Sequence, residues 1–381
     1  MSADATGAAR VVDVVVVGGG PIGLAAAIEA RLAEFTVIVV EPRIGPIDKA
    51  CGEGLMPGAV PLLDRLGVRP VGHPLVGVGY YASARSLRSA KVPVSADSAP
   101  RNGRNPPERA QKRSVEHRFA SGAGLGVRRT VLHDSLAERA AALGVEHVVG
   151  RADAIEQDDD QVTVLVGDNR IRCRWLLGVD GLHSSVARLT GLAVPASGGE
   201  GRYGIRQHFA VHPWSDLIEV HYGPAAELYV TPVADDLVGV AMLAPRGTSY
   251  ASALAGVPAI AERIAGAAIA SERRGAGPFR QRTRARIAGR VLLVGDASGY
   301  VDALTGEGLR LGFAQASAAI ACIVAGDPQR YEGEWRRITR DFRMLTGGLV
   351  AWAGSPLRGA LVPAAARMPG LFGAVVERLA R

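Results

Sequence analysis

The apolar positions fall into blocks of two kinds. Near the N-terminus a continuous run, residues 11–17 broken once by Asp13, reads as a buried strand. It runs into GGGPIG, and an alanine-rich stretch, residues 24–32, reads as a helix. A second apolar run, residues 36–40, closes on Glu41. Strand, helix and strand in that order predict a β-α-β unit and a mainly parallel sheet.

In the middle of the chain the pattern changes. Residues 71–81, 161–166, 203–211, 217–222, 228–233 and 237–243 read as strands, and several alternate apolar with polar positions between Gly, Pro or Asp turns. They predict a second, mostly antiparallel sheet. Helices are expected over 130–143, with Leu132, Leu136 and Ala140 at helical spacing, and over 251–270. Residues 291–294 read as a short buried strand ahead of GDASGY, and a long helix follows from Leu309. Residues 347–381 carry few charges before Glu377 and read as a helical pair packed on the body. A membrane-surface helix or a lid over an apolar substrate are the alternatives.

Composition narrows the class. With 381 residues, 48 % hydrophobic and 21 % charged, the chain is globular and long enough for two domains. Cys51, Cys173 and Cys322 are far apart and in no metal spacing, so neither a disulfide framework nor a metal site is expected. The N-terminal apolar run holds an acid and ends in glycines, unlike a signal peptide, and no spanning helix is expected. A reducing cytoplasm is the expected location. The net charge of +7 is concentrated: nine basic and three acidic residues between Arg85 and Arg118 supply +6 of it. Residues 95–118 read as a basic flexible loop rather than a nucleic-acid-binding stripe.

Two motifs point to one cofactor. Gly18-x-Gly20-x-x-Gly23 follows a strand and opens a helix, the arrangement that lets a backbone turn approach a diphosphate. Glu41, 18 residues after Gly23, ends the next strand, where a carboxylate accepts from ribose hydroxyls and repels a 2′-phosphate. Pro21 and Ile22 within the turn and Arg43 beyond Glu41 complete this expected cofactor-binding set. Residues 290–312, RVLLVGDASGYVDALTGEGLRLG, place Asp296 at a strand end to accept from a ribityl hydroxyl. Gly306 and Gly308 then open a helix whose N–H groups face an anionic flavin ring.

Here the sequence resembles the flavoprotein family of single-component aromatic hydroxylases and geranylgeranyl reductases, with the para-hydroxybenzoate hydroxylase fold. The resemblance extends to residues 176–191, with Gly178, Asp180, Gly181, Ser184, Ser185 and Arg188 matching an Asp-Gly motif on the FAD diphosphate side. It includes Arg129, Leu132 and Leu136, which imply an arginine against the diphosphate or adenine, with Arg128 as the fallback. Cys51 in DKACGEGLMP resembles a segment near the flavin in the reductase branch. Tyr229-Val230-Thr231-Pro232 keeps the Tyr and Pro of a flavin-covering segment of that branch but lacks its Trp, and the Trp-x-Trp-x-Ile-Pro segment of the family's halogenases is absent.

The resemblance implies an α/β fold: a discontinuous Rossmann-type FAD-binding domain (1–70, 120–195, 280–330), an inserted antiparallel substrate domain (71–119, 196–279) and C-terminal helices (331–381). It implies FAD as the cofactor. With one dinucleotide fingerprint, NAD(P)H would be a transient electron donor in a shared cleft. The implied activity is hydroxylation of an aromatic or polyketide-type small molecule by O2 through a flavin C4a-hydroperoxide. A geranylgeranyl-reductase-like saturation of a lipid alkene is the alternative, and a non-catalytic FAD or nucleic-acid binder is the third class. Tyr229 and His208 are the first candidates for substrate chemistry, Cys51 the third, with His221 and Tyr222 behind them and Arg206 as an anion holder. No nucleic acid and at most peripheral membrane contact are expected; oligomeric state is left open.

Overall fold

The computed structural model describes residues 10–82, 114–195, 201–303, 306–353 and 360–381. Its first sheet has eight strands. Six lie in the order Ile287–Ala288, Val291–Leu293, Asn169–Gly178, Arg10–Val17, Val37–Glu41 and Glu146–Val149. Of their five pairings all but the first are parallel, with Val14 opposite Val37 on one side and Trp175 on the other. Alternation within Arg10–Val17 divides the core. Val14 and Val16 face the helices Pro21–Leu32 and Gly308–Val324, whereas Val15 and Val17 face Val162, Val164 and Cys173. That second face is covered by Ala154–Gln157 and Val162–Val166, which extend Asn169–Gly178 in antiparallel fashion. The strand expected at 161–166 therefore belongs to this sheet rather than to the second one. Val162, Val164 and Val166 are buried against Val15, Val17 and Ile171 and so cover the parallel strands, which need both faces buried.

The second sheet orders Ala268–Ile269, Arg202–Ala210, Leu237–Pro245, Glu227–Ala234, Leu217–Tyr222, Gly77–Ala82 and Ser114–Arg118, with Arg274–Ala276 paired beside Arg202–Ala210. All pairs are antiparallel except Leu217–Tyr222 with Gly77–Ala82. Ser114–Arg118 was expected within the basic loop. Its cross-strand pairing and the burial of Val115 hold it as an edge strand, and residues 95–113 of that loop lie outside the described residues. One face of the sheet packs against Tyr250–Ala255 and Pro258–Ala261. The single helix expected over 251–270 is broken at Pro258, which cannot continue the preceding hydrogen-bond ladder, and the chain turns into Ala268–Ile269.

A three-stranded sheet (Gly54–Leu55, Gly124–Gly126, His73–Leu75) joins the two large ones. Gly126 allows the closest approach: a Cβ there would lie 1.7 Å from the Pro232 carbonyl oxygen. The C-terminal helices Tyr331–Ala353, Leu361–Arg367 and Pro369–Ala380 pack on the body. Phe372, Val376 and Ala380 bury against Met56, Val78 and Val115, and Glu377 accepts from the Ala120 N–H at 2.7 Å and pairs with His117 at 2.8 Å. Among the described residues no helix is long and apolar enough to cross a membrane.

Candidate functional site

The first three central strands all end at one groove. Gly18 turns with φ +112°, and a Cβ there would lie 2.5 Å from the Val179 carbonyl oxygen. Gly23 packs so closely that a Cβ would stand 1.8 Å from the Gly18 carbonyl oxygen. At Gly20, by contrast, a Cβ would meet nothing within 4 Å: that position opens into the groove. Helix Pro21–Leu32 starts here, three residues earlier than its apolar run suggests. Gly20 is its N-cap and supplies no side-chain cap, so the first-turn N–H groups point at open space.

Glu41 is buried at the groove wall. Its carboxylate accepts the Gly19 N–H at 2.8 Å and is gripped by Arg43 through Nε at 2.6 Å and Nη2 at 3.1 Å. Burial works against its ionisation, but the bonds from Arg43 and Gly19 outweigh burial and hold the carboxyl below its ordinary value. Arg43 is thereby committed to Glu41. Asp180 also lines the groove, yet its carboxylate is used locally: it accepts from Ser185 N–H at 2.6 Å, Ser185 Oγ at 2.7 Å and Val186 N–H at 3.1 Å. Ser184 caps the helix Ser185–Leu189 by accepting from Ala187 N–H at 2.9 Å.

Beyond the groove lies a chamber under the second sheet. Ile22, Lys49, Arg129, Leu182 and Asp296 line both, so the two spaces adjoin. Arg129 opens the helix Arg129–Ala142, and its buried Nε has no protein partner. Asp296 stands 4.0 Å from Lys49 Nζ; burial pushes its carboxyl up, against Lys49 and Arg129. Gly306 and Gly308 border the chamber, and a Cβ at Gly306 would meet nothing within 4 Å. Glu307 between them is buried beside Arg310 and burial pushes it up to about 7.

The remaining walls are apolar and aromatic, with Met242, Leu243, Phe279, Tyr229 and Tyr300 on one side and Val376 and Leu379 of the last helix on another. With the open solvent at its mouth included, the empty space between these walls is about 1410 Å³. The C-terminal helices pack on the body as expected, and Val376 and Leu379 of the last one line the chamber.

Of the three substrate-chemistry candidates, Tyr229 and Cys51 line the chamber and His208 does not. Burial first, then the Glu227 carboxylate, hold the Tyr229 phenol well above its ordinary value, so it is a proton donor rather than a base. Cys51 Sγ accepts from the Glu53 N–H at 3.4 Å. His208 is 1 % exposed and sits behind Glu53, with 2.6 Å between its Nε2 and Glu53 Oε2. Glu53 reaches the chamber in its place. Arg206 also reaches it, but is held by Asp48 and by His208 Nδ1 at 3.2 Å. His221 pairs with Glu219 at 2.9 Å and stacks on Tyr81.

Two contributors were not among the candidates, Glu53 although it lies within DKACGEGLMP, and Gln281. Glu53 has φ +59°, a positive value that few side chains adopt, and accepts the Arg129 N–H at 2.9 Å. Gln281 donates to the main-chain oxygens of Asp296 at 2.9 Å and Ala297 at 3.1 Å, and accepts from the His183 N–H. It ties the Asp180 turn to the Asp296 turn across 100 residues of sequence separation from Gly181.

An FAD fits this geometry. The uncapped helix start and open Gly20 suit a diphosphate, Glu41 a ribose, and the orphaned Arg129 Nε an anionic oxygen at the passage into the chamber. The comparisons agree. The family model described as "FAD binding domain" matches residues 11–325. A rifampicin monooxygenase of Streptomyces venezuelae is 32 % identical over 189 residues, 48 % of this chain and 34 % of that protein; the match thus spans about a third of the relative's length. A menaquinone reductase of Mycolicibacterium smegmatis is 29 % identical over 365 residues, 86 % of this chain and 80 % of that one. A solved flavin-dependent brominase superposes with a TM-score of 0.75 at 16 % identity, over 97 % of this chain and 94 % of its own, which shows the shared fold. The chain belongs to the FAD-binding-domain family of flavoenzymes.

Proposed function

We propose that the protein is an FAD-dependent monooxygenase that uses NAD(P)H and O2 to hydroxylate an aromatic or polyketide-type molecule held in the chamber. The observation that carries this reading is that the cofactor groove shares wall residues with an adjoining, largely apolar and aromatic chamber. Bound FAD supplies two-electron redox chemistry and, when reduced, reactivity with O2. The chain's residues do the rest. Glu41 and the fingerprint turn anchor the nucleotide end, and Arg129 and Lys49 offset charge at the passage. The aliphatic wall from Met242 and Leu243 to Val376 and Leu379 excludes water, which protects a reactive site from side reactions. Tyr229 donates a hydrogen bond to a substrate oxygen, and Glu53 is the buried carboxylate that exchanges a proton with it.

A second reading, reduction of an alkene in an isoprenoid or quinone-type lipid, is favoured by two observations. The alignment to the menaquinone reductase runs along most of both chains. Cys51 lies in the chamber wall, to which the last helix adds the apolar Val376 and Leu379. Oxygen uptake and NAD(P)H oxidation by the purified holoenzyme over phenols, quinones, alkylresorcinols and polyprenyl lipids tests both. Uptake stimulated by a substrate, with oxygen from O2 in the product, supports the monooxygenase. Anaerobic saturation of a substrate overturns it in favour of the reductase.

A further inference from the structure

A buried line of hydrogen-bonding groups leads from the chamber to the surface at the edge of the second sheet, where Ser271 follows the edge strand Ala268–Ile269. Glu53 lines the chamber and is 3 % exposed. Its Oε2 meets His208 Nε2 at 2.6 Å. On the other edge of the ring, His208 Nδ1 lies 2.8 Å from Ser271 Oγ. Ser271 is only half-buried, and its Oγ also reaches the carbonyl oxygen of Glu272, an exposed residue, at 3.2 Å.

Two details distinguish this from a static buried pair. Ser271 Oγ has two acceptors in reach, the ring nitrogen and the Glu272 carbonyl, while the His208 N–H donates to it at 3.1 Å in either case. The hydroxyl therefore turns without losing its place, accepting from a protonated Nδ1 or donating to a bare one. The second detail is space. Gly239 stands opposite His208 in the sheet, and a Cβ there would lie 3.0 Å from Glu53 Oε2. The strand leaves a gap that the carboxylate fills. The charged groups facing the ring are Glu53 and Arg206, with Asp48 behind the guanidinium, and Arg206 Nη1 lies 3.2 Å from Nδ1.

We propose that Glu53, His208 and Ser271 form a proton relay between the chamber and solvent, resting on the reading that the reaction takes place in that chamber. With Arg206 facing Nδ1, the resting ring carries its proton on Nε2. A solvent proton passes through Ser271 Oγ to Nδ1 as the Nε2 proton passes to Glu53 and on to the chamber. The ring is left protonated on Nδ1. A proton leaving the chamber through Glu53 to Nε2 then expels the Nδ1 proton to Ser271 and water, restoring the start. No electron moves, and one proton in balances one proton out. Glu53 touches the reacting space; His208 and Ser271 act through it as positioning and relay residues.

The test reads the ring protons of the FAD holoenzyme labelled with ¹⁵N-histidine, by exchange with water in NMR, with no substrate needed. His208→Gln identifies the resonance; backbone correlation does so if that variant does not fold. The relay predicts a His208 ring proton that exchanges with water and slows by about tenfold or more in Ser271→Ala, with FAD affinity and melting unchanged. A ring proton that does not exchange in the native protein, or exchanges equally in Ser271→Ala, overturns it. In turnover, Ser271→Ala lowers kcat and enlarges the solvent isotope effect at constant KM. Failure of every compound in the oxygen and anaerobic assays would count against the functional reading alone, because the exchange measurement stands without it.

Discussion

Glu41 Oε2 accepts the Gly19 N–H at 2.8 Å, so the acid at the end of the second strand is locked to the glycine turn at the end of the first. The carboxylate is thus positioned for a ribose before a ligand arrives, and Arg43 keeps it ionised. Glu41→Gln weakens both links. Hydrogen bonds to a charged group contribute about 1.5–3 kcal/mol, so FAD affinity should fall by about 10- to 160-fold in a fluorescence titration. The sign with pH follows from the lowered carboxyl. Its contribution is complete above the ordinary glutamate value of 4.5 and is lost only as pH falls through the lower folded value. FAD binding in the native protein should therefore persist below pH 4.5 as long as the fold does.

The three fingerprint glycines should separate experimentally. Gly23→Ala drives a methyl into the Gly18 carbonyl and should cost about 3 kcal/mol or more of stability, read as a lowered melting temperature of the apoprotein. Gly20→Val meets open space and should leave apoprotein stability within about 0.5 kcal/mol while abolishing FAD binding. Equal effects of the two on the apoprotein would remove the groove assignment.

Thiol reactivity offers a second map of the chamber. Burial pushes Cys173 up to about 12 and also raises Cys322, whereas Cys51 is half-buried in the chamber wall. Iodoacetamide on the native apoprotein should label Cys51 alone, and FAD should protect it, as read by peptide mass spectrometry. Cys51→Ser should retain FAD binding.

Glu307 sets a stability window. Its folded value of about 7 lies above the ordinary 4.5, so the native state holds a proton that the unfolded chain releases. Stability from this group is present below 4.5 and declines as pH rises towards 7, by about 3 kcal/mol at most. Glu307→Gln should flatten that part of the pH dependence in apoprotein denaturation curves. An unchanged slope would place the carboxyl in a more polar setting than its burial indicates.

Local signals in the sequence were strong where the backbone itself makes the site. Gly18 and Gly23 are forced by close backbone approaches and Gly20 stands open to the groove, all in one short turn, and the residues 291–294 run marks the strand that delivers Asp296. Glu53 and Ser271 were not legible, because their meaning arises only when His208 is brought to them across 155 and 63 residues. A lone histidine on an alternating strand gives its face but not what stands between it and the cavity. Placing residues 161–166 in the wrong sheet has the same origin: alternation identifies a strand and leaves its partner unspecified. Pro258 did carry a local signal against a continuous helix, and the surrounding alanines masked it.

The most direct test of the account is a titration of the apoprotein with FAD, followed by iodide quenching of the bound flavin. One FAD spanning the groove and the chamber predicts a single site per chain, loss of that site in Gly20→Val, and a flavin ring shielded from iodide. A bound flavin as open to iodide as free FAD, or binding unaffected by Gly20→Val, would contradict it.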